Sequence, residues 1–171
     1  LLREVLTAIA PFRDKAGRDI PVFVAGGVKN GADMARYMKE GAAGAQFATR
    51  FIATAECDAS EGYKQRHLAA KADDITLVKS PVGMPGRALR SPLIRRVEDG
   101  TQPPPERCVK CIVTCDGKNA PYCISKALIA ARNGDWENGL FFCGAAGGEV
   151  NTLSTVPEQM AQIMDEWRAA Q

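Results

Sequence analysis

The sequence predicts an α/β fold in which short apolar strands alternate with helices. The segment IPVFVA, residues 20–25, is apolar throughout and carries β-branched residues at three positions. A small-residue turn and a helical pattern follow it, and the order recurs after GAQFA, residues 44–48. Two consecutive βα units of this kind predict neighbouring parallel strands with right-handed crossovers. The length of 171 residues, with 46% apolar residues, suffices for one core.

A helix is predicted before the first strand, because apolar residues recur at helical spacing at Leu1, Leu2, Val5, Leu6 and Ile9. Since the chain begins inside this pattern and with leucine instead of methionine, we interpret it as part of a longer protein. The strand at 20–25 has the composition of a strand buried on both faces. After it, Asn30 is the predicted N-cap of a helix and Gly41 its C-cap.

The second unit continues with a helix predicted over about residues 59–71, with Tyr63 and Leu68 on its apolar side. His67, the one histidine, is expected to face solvent there. Residues 75–105 lose periodicity and are rich in Pro and Gly, which predicts irregular structure and a boundary. We therefore divide the chain into a unit of residues 1–100 and an extension of residues 101–171.

The extension contains cysteines, two predicted helices and an apolar run. One helix is expected from about Cys123 to Arg132, ended by Asn133 and Gly134, and the strand-like LFF follows. Thr155 and Glu158 form a capping box before the last helix. Its expected apolar face contains Met160, Ile163, Met164 and Trp167.

Composition argues against several classes of function. A formal charge of +2, with basic and acidic residues evenly mixed, does not predict a nucleic-acid-binding surface. No apolar run approaches the roughly 20 residues of a membrane span, and the amino-terminal residues lack the pattern of a secretion signal. The sequence predicts a cytoplasmic protein without membrane or nucleic-acid partners.

The turns AGG and ATR, which end the two strands, indicate a phosphate site. Glycines at 26 and 27 would let a ligand approach main-chain N–H groups, and Thr49 would add a hydroxyl and Arg50 a charge. In an α/β barrel the loops after the last two strands are the usual phosphate site. The alternative is that the small residues serve only to make tight turns.

The ordered segments AGGVKNGADMARYMKEGAAGAQFATRFIAT, YKQ and GMPGRALRSPL resemble the carboxyl-terminal part of the nitronate monooxygenase family. This family, formerly called 2-nitropropane dioxygenases, is similar to the flavin-type enoyl-acyl-carrier-protein reductases. The resemblance covers about residues 1–100 and implies the last part of a TIM-type (β/α)8 barrel that binds FMN. The FMN phosphate would be held by Ala25, Gly26, Gly27, Gln46, Ala48 and Thr49. The family usually has GTR where this chain has ATR, so a glycine-only conformation at Ala48 would be strained.

The resemblance also implies an FMN-dependent oxidoreductase acting on a small nitronate or activated alkene, with electrons from NAD(P)H or from the substrate. The family's catalytic histidine would lie upstream of Leu1, so no catalytic residue is assigned in this chain, and the chain alone is expected to be inactive. The segment Gly83–Arg90 would fold back across the barrel. Arg87 and Arg90 could form salt bridges there or line the pocket, and we favour the structural role.

Two alternatives remain open at this point. Another phosphate-binding barrel enzyme, of the inosine-monophosphate dehydrogenase type, would have similar turns, although the GMPGRALRSPL segment favours the first interpretation. From a different class, the chain could be a non-catalytic metal-binding or interaction module built around its cysteines.

Four cysteines, Cys108, Cys111, Cys115 and Cys123, lie within sixteen residues. Such thiols could bind zinc or an iron–sulfur cluster, although the spacing matches no standard pattern. Reduced packing thiols and a disulfide or redox pair are the alternatives. Cys57 and Cys143 are interpreted as packing residues outside this group.

Overall fold

The computed structural model describes residues 1–171, and its first part consists of a helix and two βα units. The elements are α1 (Leu2–Ala16), β1 (Phe23–Ala25), α2 (Gly31–Lys39), β2 (Gly44–Gln46), α3 (Thr49–Ile52) and α4 (Glu61–Leu68). Strands β1 and β2 pair in parallel, with Ala25 opposite Gln46, as the sequence predicts. The one-turn helix α3 was not expected. The helix predicted over about residues 59–71 is α4, which starts at Glu61 after an N-cap at Ser60.

Helix α2 has the ends that the sequence predicts. The Asn30 side chain accepts a hydrogen bond of 2.8 Å from the Asp33 N–H, which satisfies a donor of the first turn. At the other end, Gly41 directly follows the C-cap and has a φ of +104°. A positive φ is readily adopted by glycine, so both ends of α2 are determined locally.

The expectation that β1 is buried on both faces is wrong. Phe23 is 63% exposed, and the strand alternates exposed, half-buried and exposed residues. A strand that is apolar on both faces needs a layer on each face. The parallel sheet of this chain has two strands, and its elements do not cover the Phe23 side.

The region predicted to be irregular contains a hairpin and a helix. Strand β3 (Ile75–Val78) pairs with β4 (Gly86–Leu89) in antiparallel order, and α5 (Pro92–Glu98) follows. The strands are four residues long and the turn between them holds the Pro and Gly residues, so no periodicity was visible. Pro92 stands at the first helical position, where its missing N–H costs little.

The apolar core lies mainly around this hairpin. A larger cluster joins Val78, Ala88, Leu93 and Ile94 to four residues from beyond position 100, namely Tyr122, Ile124, Ala127 and Leu140. A smaller cluster contains Leu89, Ala131 and Phe141. The predicted LFF strand is reduced to one bridge between Phe142 and Ala88. The core therefore spans the expected boundary at residue 100, and the division into two domains stays a prediction.

The last two helices confirm most of the sequence prediction. Helix α6 spans Ile124–Arg132 with Asn133 as its C-cap, and Gly134 has a φ of +85°. Helix α7 spans Val156–Ala169 and begins with the Thr155–Glu158 capping box. Ile163 is buried as expected, whereas Met160 is 49% exposed and does not belong to the buried face.

Helix α7 packs closely against the start of α2 at Gly31. A side chain on Gly31 would meet the Ile163 carbonyl oxygen, the Trp167 nitrogen and, at 2.9 Å, the Glu166 Cβ. Glycine is therefore required by the neighbouring backbone at this position. None of the helices in this structure is both long and apolar enough to cross a membrane.

His67 does not face solvent, contrary to expectation. It is 2% exposed, and its ring packs against Tyr63 with the ring centroids 4.4 Å apart. Nδ1 lies 3.0 Å from the Tyr63 carbonyl oxygen and Nε2 lies 3.1 Å from that of Phe142. The side of α4 that carries His67 faces the core because it packs on the apolar run Leu140–Phe142. The periodicity of α4 alone does not reveal this contact.

We predict that His67 makes the protein less stable in acid. Burial lowers the pKa of His67 in the folded state, despite the two carbonyl contacts. The unfolded chain, with a histidine pKa of about 6.5, therefore binds more protons, and the free energy of unfolding falls as the pH drops below that value. Urea unfolding of the wild type and of His67→Gln between pH 8 and 5 measures this. The fall in unfolding free energy that we attribute to His67 should be absent from the variant. Parallel plots of unfolding free energy against pH for the two proteins would contradict the prediction.

Candidate functional site

A cavity of about 770 Å³ lies at the carboxyl ends of β1 and β2. Because the two strands are parallel neighbours, their following turns open at the same edge of the sheet. All six residues predicted to bind a cofactor line this cavity, namely Ala25, Gly26, Gly27, Gln46, Ala48 and Thr49. A volume of this size is in the range of small-molecule and cofactor pockets, roughly 300–1,000 Å³.

The first turn depends on two glycines in the left-handed conformation. Gly26 has a φ of +80° and Gly27 a φ of +74°, and no protein atom occupies the space where their side chains would be. The N–H groups of Gly26, Gly27 and Val28 donate to no acceptor within the protein. Free N–H groups beside an open cavity are the usual donors to phosphate oxygens.

The second turn does not need glycine. Ala48 has a negative φ of −132°, so this position does not adopt the left-handed conformation that favours glycine. The Thr49 hydroxyl oxygen accepts a hydrogen bond of 2.8 Å from the Gly144 N–H. A hydroxyl that accepts this bond keeps its own proton, which it can donate to a ligand.

A third segment, which the sequence analysis missed, forms another part of the cavity wall. It comprises residues 142–146 and 149–152, and the short 3₁₀ helix Gly147–Glu149 lies within it. The sequence does contain a pattern that indicates this segment, because the apolar run LFFC is followed by the small residues GAAGG, as the strands of the two βα units are followed by small-residue turns. It was not recognised because Gly144 is 95 positions from the residue that it contacts.

Most basic side chains at the cavity are already paired. Lys29 pairs with Glu149, which raises the pKa of Lys29 through their hydrogen bond. Arg50 pairs with Glu166 at 3.1 Å. Arg87 lines the cavity and forms none of the ion pairs found in the structure. An anion there would therefore meet backbone N–H groups and Arg87 before any other free charge.

The two arginines of the Gly83–Arg90 segment have different environments. Arg90 pairs with Glu98, with 3.3 Å between Nε and the carboxylate oxygen, which is the structural role that we favoured. Arg87 faces the cavity, so for this residue the pocket interpretation is the better one.

Cys143 also lines the cavity and is half-buried. Burial raises the pKa of its thiol to about 11, so at neutral pH it is a protonated, neutral group. It does not line the small cavity that Cys108, Cys111, Cys115 and Cys123 share, as expected. A protonated thiol is a weak nucleophile, which agrees with a packing role.

The cysteines at 108, 111, 115 and 123 line one small cavity of about 20 Å³, yet the structure does not support the metal hypothesis. No three His, Cys, Asp or Glu side chains are arranged to hold a metal ion. Cys108 accepts from the Lys110 N–H at 3.4 Å, and Cys111 lies 3.3 Å from the Ser125 hydroxyl. All six cysteines are free, with no disulfide between any two of them.

A family model described as nitronate monooxygenase matches residues 1–166. A (3aS,4S,5R,7aS)-5-hydroxy-7a-methyl-1-oxo-octahydro-1H-indene-4-carboxyl-CoA dehydrogenase from Mycobacterium tuberculosis is 36% identical over 102 residues, covering 60% of this chain and 27% of that protein. A nitronate monooxygenase from Paraburkholderia phytofirmans is 28% identical over 149 residues, covering 86% of this chain and 38% of that protein.

Among solved structures, FabK from Thermotoga maritima superimposes with a TM-score of 0.70 and 26% identity. The match covers 90% of this chain and 46% of FabK. The chain thus spans between about a quarter and a half of the length of these relatives.

We predict that the Thr49 hydroxyl stabilises the cavity wall. Thr49→Val keeps the shape but leaves the Gly144 N–H without an acceptor, which costs about 1 kcal/mol of unfolding free energy. Thr49→Ser keeps the hydroxyl and is the matched control, expected to stay within about 0.5 kcal/mol of the wild type. Urea unfolding of the three proteins gives the comparison. Equal stability of the Val and Ser variants would show that the bond contributes nothing.

Proposed function

Because the chain belongs to the nitronate monooxygenase family, we propose that it carries the FMN phosphate site of an FMN-dependent oxidoreductase. In this proposal the chain is the carboxyl-terminal part of a TIM-type barrel, followed by the cysteine-containing segment and the last helices. The observation that carries the proposal is the cavity shared by the turns after β1 and β2, with the unpaired N–H groups of Gly26, Gly27 and Val28 at its wall. Such groups complement a phosphate monoester.

The residues have separate tasks in this proposal. Gly26 and Gly27 admit the phosphate to the main chain, Thr49 donates its hydroxyl proton, and Arg87 supplies positive charge at the cavity. Bound FMN would supply the oxidation–reduction chemistry, for which the protein provides binding and orientation. We assign no catalytic residue here, since His67 is buried against carbonyl groups and does not line the cavity.

The substrate is proposed to be a small nitronate or activated alkene, with NAD(P)H or the substrate as electron donor and the cytoplasm as location. The family match favours this assignment over the inosine-monophosphate dehydrogenase type, and the absence of a metal-binding arrangement removes the support for a metal-binding module. For the isolated 171 residues we expect no turnover of a nitronate or an enoyl thioester. Two parallel strands supply the phosphate turns but not the pocket of the flavin ring. Turnover by this chain alone would contradict that expectation.

We predict that Gly27→Ala weakens FMN binding without weakening riboflavin binding. The added Cβ strains a left-handed residue by about 1–2 kcal/mol and occupies the space beside the free N–H groups. Since riboflavin lacks the phosphate, only FMN should lose affinity, by about tenfold or more. Fluorescence titration of the full-length protein with both flavins gives the ratio of the FMN and riboflavin dissociation constants.

Gly17→Ala is the matched control for backbone strain. Gly17 also has a positive φ, +60°, and open space around it, but it ends α1 and does not line the cavity. It should leave both affinities unchanged. A wild-type protein that binds riboflavin as tightly as FMN, or a Gly27→Ala variant with unchanged FMN affinity, would refute the phosphate site.

A further inference from the structure

Helix α7 contacts the elements that follow β1 and β2 through the carboxylate of Glu166. In α7, Glu166 Oε2 accepts a hydrogen bond of 2.8 Å from the Gly31 N–H, at the start of α2. The same oxygen accepts from Arg50 Nη1 at 3.1 Å. Gly31 follows the glycine turn and Arg50 follows Thr49, so one side chain joins the elements after β1 and β2.

A second residue of α7 holds the same arginine. Gln159 lies two helical turns before Glu166 on the same face, and its Oε1 accepts from Arg50 Nε at 2.8 Å. Arg50 Nη1 also reaches the Lys29 carbonyl oxygen, at 3.4 Å, and therefore contacts the first turn directly. With its side chain only 14% exposed, Arg50 is fixed in place by α7.

We propose that Glu166 is a positioning residue for the phosphate cavity, one that sets the spacing of the two turns through Gly31 and Arg50. This rests on the proposed FMN function. Arg50 in turn is assigned a positioning role, because its guanidinium is bound to Glu166, Gln159 and the Lys29 carbonyl. The control of flavin-phosphate affinity thus extends to a helix more than a hundred residues along the chain from the turns.

The negative charge of Glu166 and its positioning of the two turns have opposite effects on FMN affinity, so the two effects can be separated. A carboxylate near the cavity repels a phosphate, and its removal would free the positive charge of Arg50. If charge dominated, loss of Glu166 would tighten FMN binding. If spacing dominates, as we propose, loss of Glu166 weakens it, because the two turns no longer present their N–H groups to one phosphate.

The test compares FMN and riboflavin affinities of the full-length protein and three variants. Glu166→Ala removes both bonds and should weaken FMN binding about tenfold while riboflavin binding stays unchanged. Glu166→Gln removes the charge but keeps a carbonyl oxygen for Gly31 and Arg50, since Gln162, which donates to Oε1 at 2.9 Å, can reverse its amide. It should stay within about threefold of the wild type. Asp165→Asn, an exposed residue paired with Arg168, is the surface control and should change neither affinity.

Each other outcome overturns the proposal. Tighter FMN binding in both Glu166 variants would show that the carboxylate acts as a repelling charge, and equal loss for FMN and riboflavin would show a general structural role. Unchanged affinities would show no role. If the wild type fails to prefer FMN over riboflavin, the phosphate site itself is wrong. Should Glu166→Ala not fold, Gln159→Met removes the bond from Arg50 Nε, together with the one to the Ser154 hydroxyl, at similar volume and must weaken FMN binding alone, by about threefold.

Discussion

The close approach of α7 to α2 at Gly31 is the contact on which the candidate site depends. No side chain fits between Gly31 and the backbone of α7, so the two helices touch through main-chain atoms. Because the helices are in contact, Glu166 accepts a hydrogen bond from Gly31, after β1, and Gln159 accepts one from Arg50, after β2. Helix α1 contains no buried residue and β1 is largely open, so these two elements contribute little to the apolar core. Helix α7 packs instead on α2, through a contact that requires one residue without a side chain.

The electrostatic character of the cavity follows from the same arrangement. Lys29 and Arg50 are neutralised by Glu149 and Glu166, so the wall presents little net charge apart from Arg87. Phosphate recognition would then rest on neutral N–H dipoles and the Thr49 hydroxyl, which are directional, together with the single free charge of Arg87. A wall of this kind discriminates by geometry.

Features that depend on neighbouring residues were predictable from the sequence, whereas those that depend on distant contacts were not. The Asn30 cap and the capping box of α7 follow from side chains three positions away, and the end of α6 follows from Asn133 and the adjacent Gly134; all were predicted. The parallel pairing of the two strands followed from their spacing. Burial of His67 and the wall at Gly144 depend on residues 75 and 95 positions away, and no local pattern reports them. The β3–β4 hairpin was missed because four-residue strands are too short for a period to be seen.

The bonds that shape the cavity join residues separated by 95 to 135 positions, such as Thr49 with Gly144 and Gly31 with Glu166. Contacts of such long sequence separation carry a high loop-closure entropy and form after local helices and hairpins. The pairing of β1 with β2 brings the two turns to one edge of the sheet, and the bonds from α7 join the elements that follow them. The geometry of the candidate site thus depends on contacts between residues that are far apart in the sequence, and in particular on residues of α7.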